Sequence, residues 1–374
     1  MKFVNIKLVN FRNYKRLNLE FNPTKNIIIG ENGEGKTNIV EALYVLSLSK
    51  SFRGSRDDVI IMNGCEETTI EGTVKDRYKD KYKLVLSKDG KRVFINNNKI
   101  DKISDYLSKI NIVLFTSEDL KLIKDTPNTR RRLINIELSQ YSNDYLKLLS
   151  QYNKVLKQRN AFLKMLRFNG NSSKSYLEIL TNQMIEIGMK LHQYRIDFVN
   201  NISNYIENNY YRIAKKHGLV LSYKSDFMNK SKEELEKMYK KDLDKDVMQG
   251  KTCSGIHHDD YLFELNKKNL KDYGSEGEQK NAVISLKMAE IDIFRNDLNI
   301  IPILILDDLF SELDKKKINN ILEFISDDIQ TFVTTTELTK VDKRLKVGSK
   351  IFKIKNGNIK EEYYEWEGIS RIKC

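Results

Sequence analysis

Gly30-Glu31-Asn32-Gly33-Glu34-Gly35-Lys36-Thr37 decides how this chain of 374 residues is read. The eight residues fit G-x-x-x-x-G-K-[ST] in full. The glycines of such a loop let its amides point inward, so that a phosphate takes the place of their missing acceptors. In this pattern the lysine, Lys36, reaches the β- and γ-phosphates of a nucleotide, and the hydroxyl of Thr37 faces Mg²⁺. All eight residues, Gly30 through Thr37, are therefore expected to bind ATP. The flanks agree with this. An apolar run, Asn26-Ile27-Ile28-Ile29, precedes the loop, and a helical pattern runs from Thr37 through Leu48 after it. Strand, glycine loop and helix open an α/β nucleotide-binding unit.

A P-loop needs a second Mg²⁺ anchor on a neighbouring strand. Ile303-Leu304-Ile305-Leu306-Asp307-Asp308 supplies one. Its four apolar residues deliver Asp307 to the strand's C-terminal end, where open α/β sheets bind ligands. Thr37 and Asp307 are thus the expected Mg²⁺ ligands, and Asp308 is placed to act on the attacking water. An isolated Asp-Asp would read as the start of a turn; beside a P-loop the catalytic reading is stronger. Ser311-Glu312-Leu313-Asp314 follows, and Ser275-Glu276-Gly277-Glu278-Gln279-Lys280 comes before, leading into a helical pattern (Ala282, Leu286, Ala289, Ile293). Ser275 and Gly277 at a helix start make a second phosphate-binding spot, although the segment alone would read as an ordinary cap.

Outward from these motifs, the first 30 residues read as short strands around a turn. Alternation over Thr69–Val74, Tyr82–Ser87 and Val93–Ile95 predicts an antiparallel hairpin sheet, and Asn111–Thr116 a buried strand. The middle is helical. Tyr141, Tyr145, Leu148, Tyr152, Val155, Phe162 and Leu166 recur at steps of three and four. After the polar break at 169–173, a second series runs from Leu177 through Met184, Leu191, Phe198 and Tyr205. Two stretches of about 30 residues predict a pair of antiparallel helices, each about 45 Å long. At that spacing the tyrosines are expected in the core and not stacked on bases. The last third returns to α/β, with Ile301–Leu306 and Gln330–Thr335 as strands and Lys315–Ile325 as a helix. The expected division is an ATPase head over 1–120, a helical arm over 121–250 and the rest of the head over 251–374.

Composition bounds the partners. A net charge of +13 points to a polyanion, most simply nucleic acid, although much of the charge must be ordinary solvated surface. Arg130-Arg131-Arg132, at the opening of the arm, are candidate DNA contacts, with a structural role equally open. No apolar run approaches the ~18 residues of a membrane span, and the N-terminus lacks the apolar core of a signal peptide. Cys65, Cys253 and Cys374 lie far apart and form no CxxC pair, so free thiols in a reducing compartment are expected.

The order of motifs resembles the ABC ATPase head: P-loop, Ser-x-Gly-x-Gln before a helix, an apolar strand ending in Asp-Asp, then Ser-Glu-Leu-Asp. More narrowly the chain resembles the RecF family, kin to the SMC and Rad50 ATPases. The matches are Asn10-Phe11-Arg12-Asn13-Tyr14, Gly35 through Ala42, Ser51-Phe52-Arg53, Phe115 through Leu120, Arg130-Arg131-Arg132, Gln158-Arg159-Asn160, Asp307-Asp308 and Ser311 through Asp314. The resemblance implies an α/β head with an inserted antiparallel helical arm, a shortened form of the SMC and Rad50 coiled coils. It implies an ATP-dependent homodimer in which the signature of one subunit contacts the γ-phosphate bound to the other. It further implies weak, DNA-stimulated ATPase activity, binding of single- and double-stranded DNA, and cooperation with RecO and RecR in loading the recombinase. A role in the SOS response and a cytoplasmic location also follow from it.

Two segments depart from the family pattern. The usual Ser-Gln-Gly-Gln-Gln-Arg carries Glu276, Glu278 and Lys280 here, and carboxylates beside a nucleotide's phosphates repel them unless they point away. The usual Gly-Pro-His-Arg-Asp-Asp reads Gly255-Ile256-His257-His258-Asp259-Asp260. Adjacent ligands rarely converge on one metal ion, so a loop tip or an interface contact is the expectation for this cluster. Two other functions fit a P-loop chain. A transporter subunit would bring a helical domain for membrane partners, whereas this chain carries a coiled-coil-like arm. A Rad50-like ATPase of a nuclease complex would bring a zinc-hook CxxC, which the sequence lacks.

Overall fold

The computed structural model describes residues 1–54, 56–107, 109–168, 174–366 and 369–372. The expected polar break at 169–173 and Cys374 lie outside them. The described residues divide into two compact units. The first comprises 1–121, 212–215 and 283–374, the second 122–211 and 216–282.

Two sheets build the first unit. The alternating N-terminal segments form an antiparallel sheet of six strands, in the order Tyr14–Glu20, Lys2–Phe11, Glu67–Lys75, Lys79–Ser87, Gly90–Ile95 and Asn98–Ile100. Period-two burial is plain in Glu67–Lys75, where Thr68, Ile70, Gly72 and Val74 point inward and the two ends are exposed. The continuous apolar runs become parallel strands covered on both faces. Lys350–Lys355, Lys25–Ile29, Thr331–Thr335, Ile303–Asp307 and Ile112–Thr116 lie side by side in parallel. Asn358–Trp366 and Ile369–Ile372 extend this sheet antiparallel.

The P-loop helix, Lys36–Leu48, packs against strands of both sheets. Every residue of it except Thr37 and Asn38 is buried, the polar Lys36, Glu41 and Ser47 included, so the helix is enclosed all round. Gly72 lets the helix approach the antiparallel sheet, since a Cβ there would sit 2.8 Å from Leu46 Cδ2.

The second unit holds the arm. In place of two helices of equal length there are three: Pro127–Tyr141, Asn143–Phe168 and a 41-residue helix, Lys174–Ala214, about 60 Å long. The apolar stripe runs unbroken past Tyr141, but Ser142 adopts an extended backbone (φ −138, ψ 114) that separates the first two helices. The last helix outruns its expected length because Ile206, Tyr210 and Ile213 carry the buried stripe onward. Tyr145 and Tyr152 are buried, as core residues should be.

The return to the head, expected at residue 251, comes at 283. The intervening segment is bound to the arm by strand pairing and by ions. Asp260–Leu265 pairs with Leu219–Lys224 and with Lys268–Asn269. Arg159, 1% exposed, donates to Asp246 (2.8 Å) and to Thr252 (2.7 Å). Paired charges of this kind avoid the cost of an isolated buried ion.

Candidate functional site

The P-loop leaves strand Lys25–Ile29 and enters helix Lys36–Leu48 with Gly33 (φ +86) and Gly35 (φ +105) in the left-handed region. At Gly35 a side chain is excluded on two counts. Its backbone is one that L residues rarely adopt, and a Cβ would lie 2.6 Å from Asn13 Nδ2 and 2.8 Å from Tyr14 Oη. Tyr14 Oη donates to the Gly35 carbonyl at 3.1 Å, and Asn13 donates to the Glu34 carbonyl at 3.4 Å. Among the described residues the amides of Gly33 and Gly35 meet no acceptor. Those of Lys36 and Thr37 open a helix, where the first amides have no intrahelical partner. The loop thus gathers donors that an anion can satisfy.

Lys36, Thr37, Asp307 and Asp308 come together as the sequence anticipates. Parallel pairing places Asp307 at the end of its strand beside Thr334. Its Oδ1 accepts from Thr334 Oγ1 at 2.6 Å and from Thr37 Oγ1 at 3.0 Å. The Lys36 ammonium donates to the Glu31 carbonyl at 2.8 Å. Burial lowers the pKa of Lys36, against the pull of Asp308, Asp307 and Glu34. Burial raises that of Asp307, against its hydrogen bonds from Thr334 and Thr37. Both shifts follow from burial, which disfavours the charged form of each side chain. Hard oxygen donors at Thr37 and Asp307 suit Mg²⁺, which binds through one or two protein groups and the oxygens of a phosphate. The residues therefore fit a magnesium nucleotide.

Asp308 sits at φ 50, ψ 28, a left-handed conformation uncommon outside glycine. Its amide donates to Thr334 Oγ1 (2.9 Å) and its carbonyl accepts from Ser311 Oγ (2.8 Å). These bonds hold the backbone and leave the carboxylate beside Asp307.

Several supporting residues carry no motif of their own that assigns them a task. Arg12 forms a fork on the buried Glu41 (2.6 and 3.0 Å), and Ser51 donates to the same carboxylate at 2.5 Å. Arg53 lies 3.8 Å from Glu41 and donates to Asn38 at 3.2 Å. Glu34 accepts from the Asn356 amide, which ties the P-loop to the turn between Lys350–Lys355 and Asn358–Trp366. The only hint in sequence was that Arg12, Glu41, Ser51 and Arg53 all belong to the stretches that carry the family resemblance.

In the second unit, Ser275 precedes helix Glu276–Asn296. Its amide (3.1 Å) and hydroxyl (2.9 Å) both donate to Glu278, whose own amide donates back to Ser275 Oγ at 3.3 Å. This is a capping box. Hydrogen bonds from the Ser275 backbone and side chain, then from Lys216, lower the pKa of Glu278. Glu276 pairs with Lys280 at 2.8 Å. Both glutamates are thus engaged along their own helix. A Cβ on Gly277 would meet nothing within 4 Å.

Two charged clusters that the sequence singles out lie in the second unit. His257-His258-Asp259-Asp260 is not a free loop tip, since of the four only His258 is exposed. Asp259 is 1% exposed and accepts from Arg195 and Tyr223, each at 2.5 Å. Asp260 accepts the fork of Arg130 (2.8 and 3.0 Å), and His257 lies between Tyr152 and the Thr252 carbonyl. The two histidines share the Thr252 carbonyl (3.2 and 3.3 Å) while the two aspartates turn to different arginines, and no metal-holding group of acids, histidines and cysteines occurs among the described residues. Arg130, in turn, is 3% exposed, and Arg131 donates to the Asp259 carbonyl at 2.7 Å. Arg130 and Arg131 thus have structural partners within the second unit, whereas Arg132 is exposed.

No helix among the described residues is long and apolar enough to cross a membrane. The family described as RecF/RecN/SMC N terminal domain matches residues 2–360. The DNA replication and repair protein RecF of Ligilactobacillus salivarius (strain UCC118) is 38% identical over 366 residues, covering 96% of this chain and 97% of that protein. That of Bacillus subtilis (strain 168) is 37% identical over 366 residues, covering 96% and 99%. A solved recombination mediator protein RecF with ATP, of the RecFOR pathway, superposes with a TM-score of 0.88 at 29% identity, covering 96% and 97%.

Proposed function

This chain belongs to the RecF family of ABC-type ATPases, and on that premise we propose that it is an ATP-dependent DNA-binding protein of recombinational repair and replication that closes as a homodimer around nucleotide. One observation carries the reading. The Thr37 hydroxyl, at the start of the P-loop helix, and the Thr334 hydroxyl, on the adjacent parallel strand, meet on a single carboxylate oxygen of Asp307. Two far-apart stretches of sequence thereby converge on one point beside Lys36, as the binding of a magnesium nucleotide requires.

The loop amides of Gly33 through Thr37 and the Lys36 ammonium bind the β- and γ-phosphates. Thr37 and Asp307 hold Mg²⁺, which when bound neutralises charge on the phosphate oxygens. Asp308 orients the attacking water. It is one methylene shorter than the glutamate of many ABC heads, and ångström-scale placement governs a general base. Slow hydrolysis follows, suited to a switch, and its stimulation by DNA is what the family resemblance implies. Ser275 and Gly277 serve the nucleotide of the partner subunit, and the open space beside Gly277 is what a phosphate approaching from outside needs.

With the net charge of +13, the reading extends to single- and double-stranded DNA. The solved relative's place in the RecFOR pathway supports RecO and RecR as partners. Loading of the recombinase, support of the SOS response and action in the cytoplasm complete it. Relatives matched over nearly their whole length are named for replication and repair, which favours this reading over a Rad50-like ATPase of a nuclease complex.

The test is sizing by light scattering with ATP, with ADP and without nucleotide, alongside titration of a fluorescent ATP analogue. ATP alone should yield the dimer, because ADP lacks the γ-phosphate that bridges two subunits. Lys36→Ala should abolish the ATP-driven change and lower nucleotide affinity while leaving the fold intact. Unchanged ATP affinity in that variant would remove the site assignment.

A further inference from the structure

We propose that the outer face of helix Asn143–Phe168 is a track for the sugar–phosphate backbone of duplex DNA, held by Lys154, Lys157 and Lys164. The proposal rests on the DNA-binding reading above and locates that activity on the arm, now that Arg130 and Arg131 are structural.

Sequence supplies the first observation. Between Asp144 and Glu178 the chain runs through 33 residues without one aspartate or glutamate. At the chain's own frequency, 52 acids in 374 residues, four or five would be expected there. The same stretch contains seven lysines and arginines. A helix face that is merely solvated mixes both signs of charge and gains from i,i+4 pairs. This one forgoes them.

Structure separates the working cations from the occupied ones. Arg159 is consumed by the buried Asp246, and Lys147 pairs with Asp144 at 3.6 Å. Lys154, Lys157 and Lys164 are exposed and have no ionic partner among the described residues. Steps of three and seven residues set them on one face, over a rise of about 15 Å from first to last. A shallow groove of about 450 Å³ runs along this face, lined by Asn153, Leu156, Lys157, Asn160, Ala161 and Lys164. The small side chain of Ala161 lies between the two lysines that rim the groove and leaves room for a backbone to settle. Gly250 lies close to the stem of Lys164, where an added Cβ would come within 3.1 Å of its Cγ.

The choice of duplex over single strand follows from where the aromatics are. Proteins that hold single strands stack bases on aromatic rings. Tyr145 and Tyr152 of this helix are buried against the core, at 0% and 1% exposure. Tyr176, the exposed ring near its C-terminal end, stands edge-on to Phe162 with centroids 5.2 Å apart. Cations without a stacking platform read phosphates and carry no base preference.

The test uses the full chain with ATP. Binding to a fluorescent duplex and to a fluorescent single strand, both of mixed sequence, is measured from about 50 to about 300 mM salt, the range over which counterion release dominates, for wild type and for Lys154→Gln/Lys157→Gln/Lys164→Gln. Loss of three phosphate contacts should lower the slope of log K against log salt by about 2 to 3, and affinity near 0.15 M salt by about a hundredfold. Nucleotide binding should be unchanged, which shows that the variant is folded. If wild type binds duplex and the triple variant keeps the same slope and affinity, the track is overturned while the family reading stands. A loss confined to single-stranded DNA likewise overturns it. Wild type that binds neither form overturns the DNA-binding reading, and the track with it.

Discussion

Replacing His257 by glutamine should change how the second unit responds to acid. The imidazole is half-buried, with Nδ1 2.9 Å from the Tyr152 hydroxyl and Nε2 3.2 Å from the Thr252 carbonyl. A carbonyl only accepts, so Nε2 carries the proton and Nδ1 accepts from Tyr152, which leaves no lone pair to protonate without breaking a bond. Burial first, then the neighbouring His258, lower the pKa from 6.5 to about 4. Between those values the unfolded chain takes up a proton that the native state refuses, so stability is present above pH 6.5 and is lost as pH falls towards 4. At 1.36 kcal/mol per unit, this residue alone removes about 2 kcal/mol between pH 7 and pH 4.5. His257→Gln keeps a donor for Thr252 and lacks the titration. It should cost about 1 kcal/mol at pH 7 for the lost hydrogen bond, and the gap between wild type and variant should close and then reverse by pH 4.5. Urea unfolding of both proteins across that range reads the difference directly. A gap that stays constant with pH would refute the reasoning.

Three further substitutions test other parts of the structure. Arg195→Met should destabilise by about 3 to 5 kcal/mol, because it leaves Asp259 buried without its 2.5 Å partner; a loss under about 1 kcal/mol in denaturant titration would mean that Asp259 is neutral. Gly277→Leu adds a side chain where a Cβ meets nothing within 4 Å, and leucine exceeds glycine in helix propensity by somewhat under 1 kcal/mol. Thermal stability should therefore hold or rise while ATP-driven dimerisation in a sizing column fails, and a variant that still dimerises places the interface elsewhere. Asp308→Ala should retain nucleotide affinity and lose steady-state phosphate release by about a hundredfold or more, an assignment that undiminished hydrolysis would end.

The legible parts of the site were those fixed by local sequence. The P-loop encodes its own conformation through Gly33 and Gly35, and the run Ile303 through Leu306 could only be a strand covered on both faces. Asp307 was therefore placed by spacing alone. Partners chosen by the tertiary fold were not legible. Thr334 reaches Asp307 only because two strands pair in parallel, and no short motif in its own segment announces it. The same holds for Asn356 and Glu34, which are 322 residues apart. Charge misled where burial decides the role. Arg130 and His257 look like surface chemistry in sequence, but Arg130 is buried and His257 half-buried, with partners 130 and 105 positions away. Helix limits failed for a local reason, since periodicity continues through Ser142 while the backbone does not.

The two halves of the proposed nucleotide site have one property in common. Lys36 donates to the Glu31 carbonyl, and the amide and hydroxyl of Ser275 both donate to Glu278. A phosphate oxygen reaching either group replaces an existing acceptor instead of filling an unmet one, so each exchange yields only the difference between two hydrogen bonds. For Lys36 that difference is favourable, because a neutral carbonyl gives way to a charged oxygen at a buried ammonium. For Ser275 it is close to balanced, because the outgoing acceptor is itself a carboxylate with Lys216 at 3.2 Å. On the proposed site, nucleotide binding within one subunit should then be strong, and engagement of the signature weak and sensitive to the γ-phosphate. The Ser-x-x-Glu cap thus accounts for the departure at Glu278 from the family's usual glutamine. A glutamine there would hold Ser275 less firmly, so Glu278→Gln should shift dimerisation to lower ATP concentration, and a shift to higher concentration would show that the carboxylate assists closure.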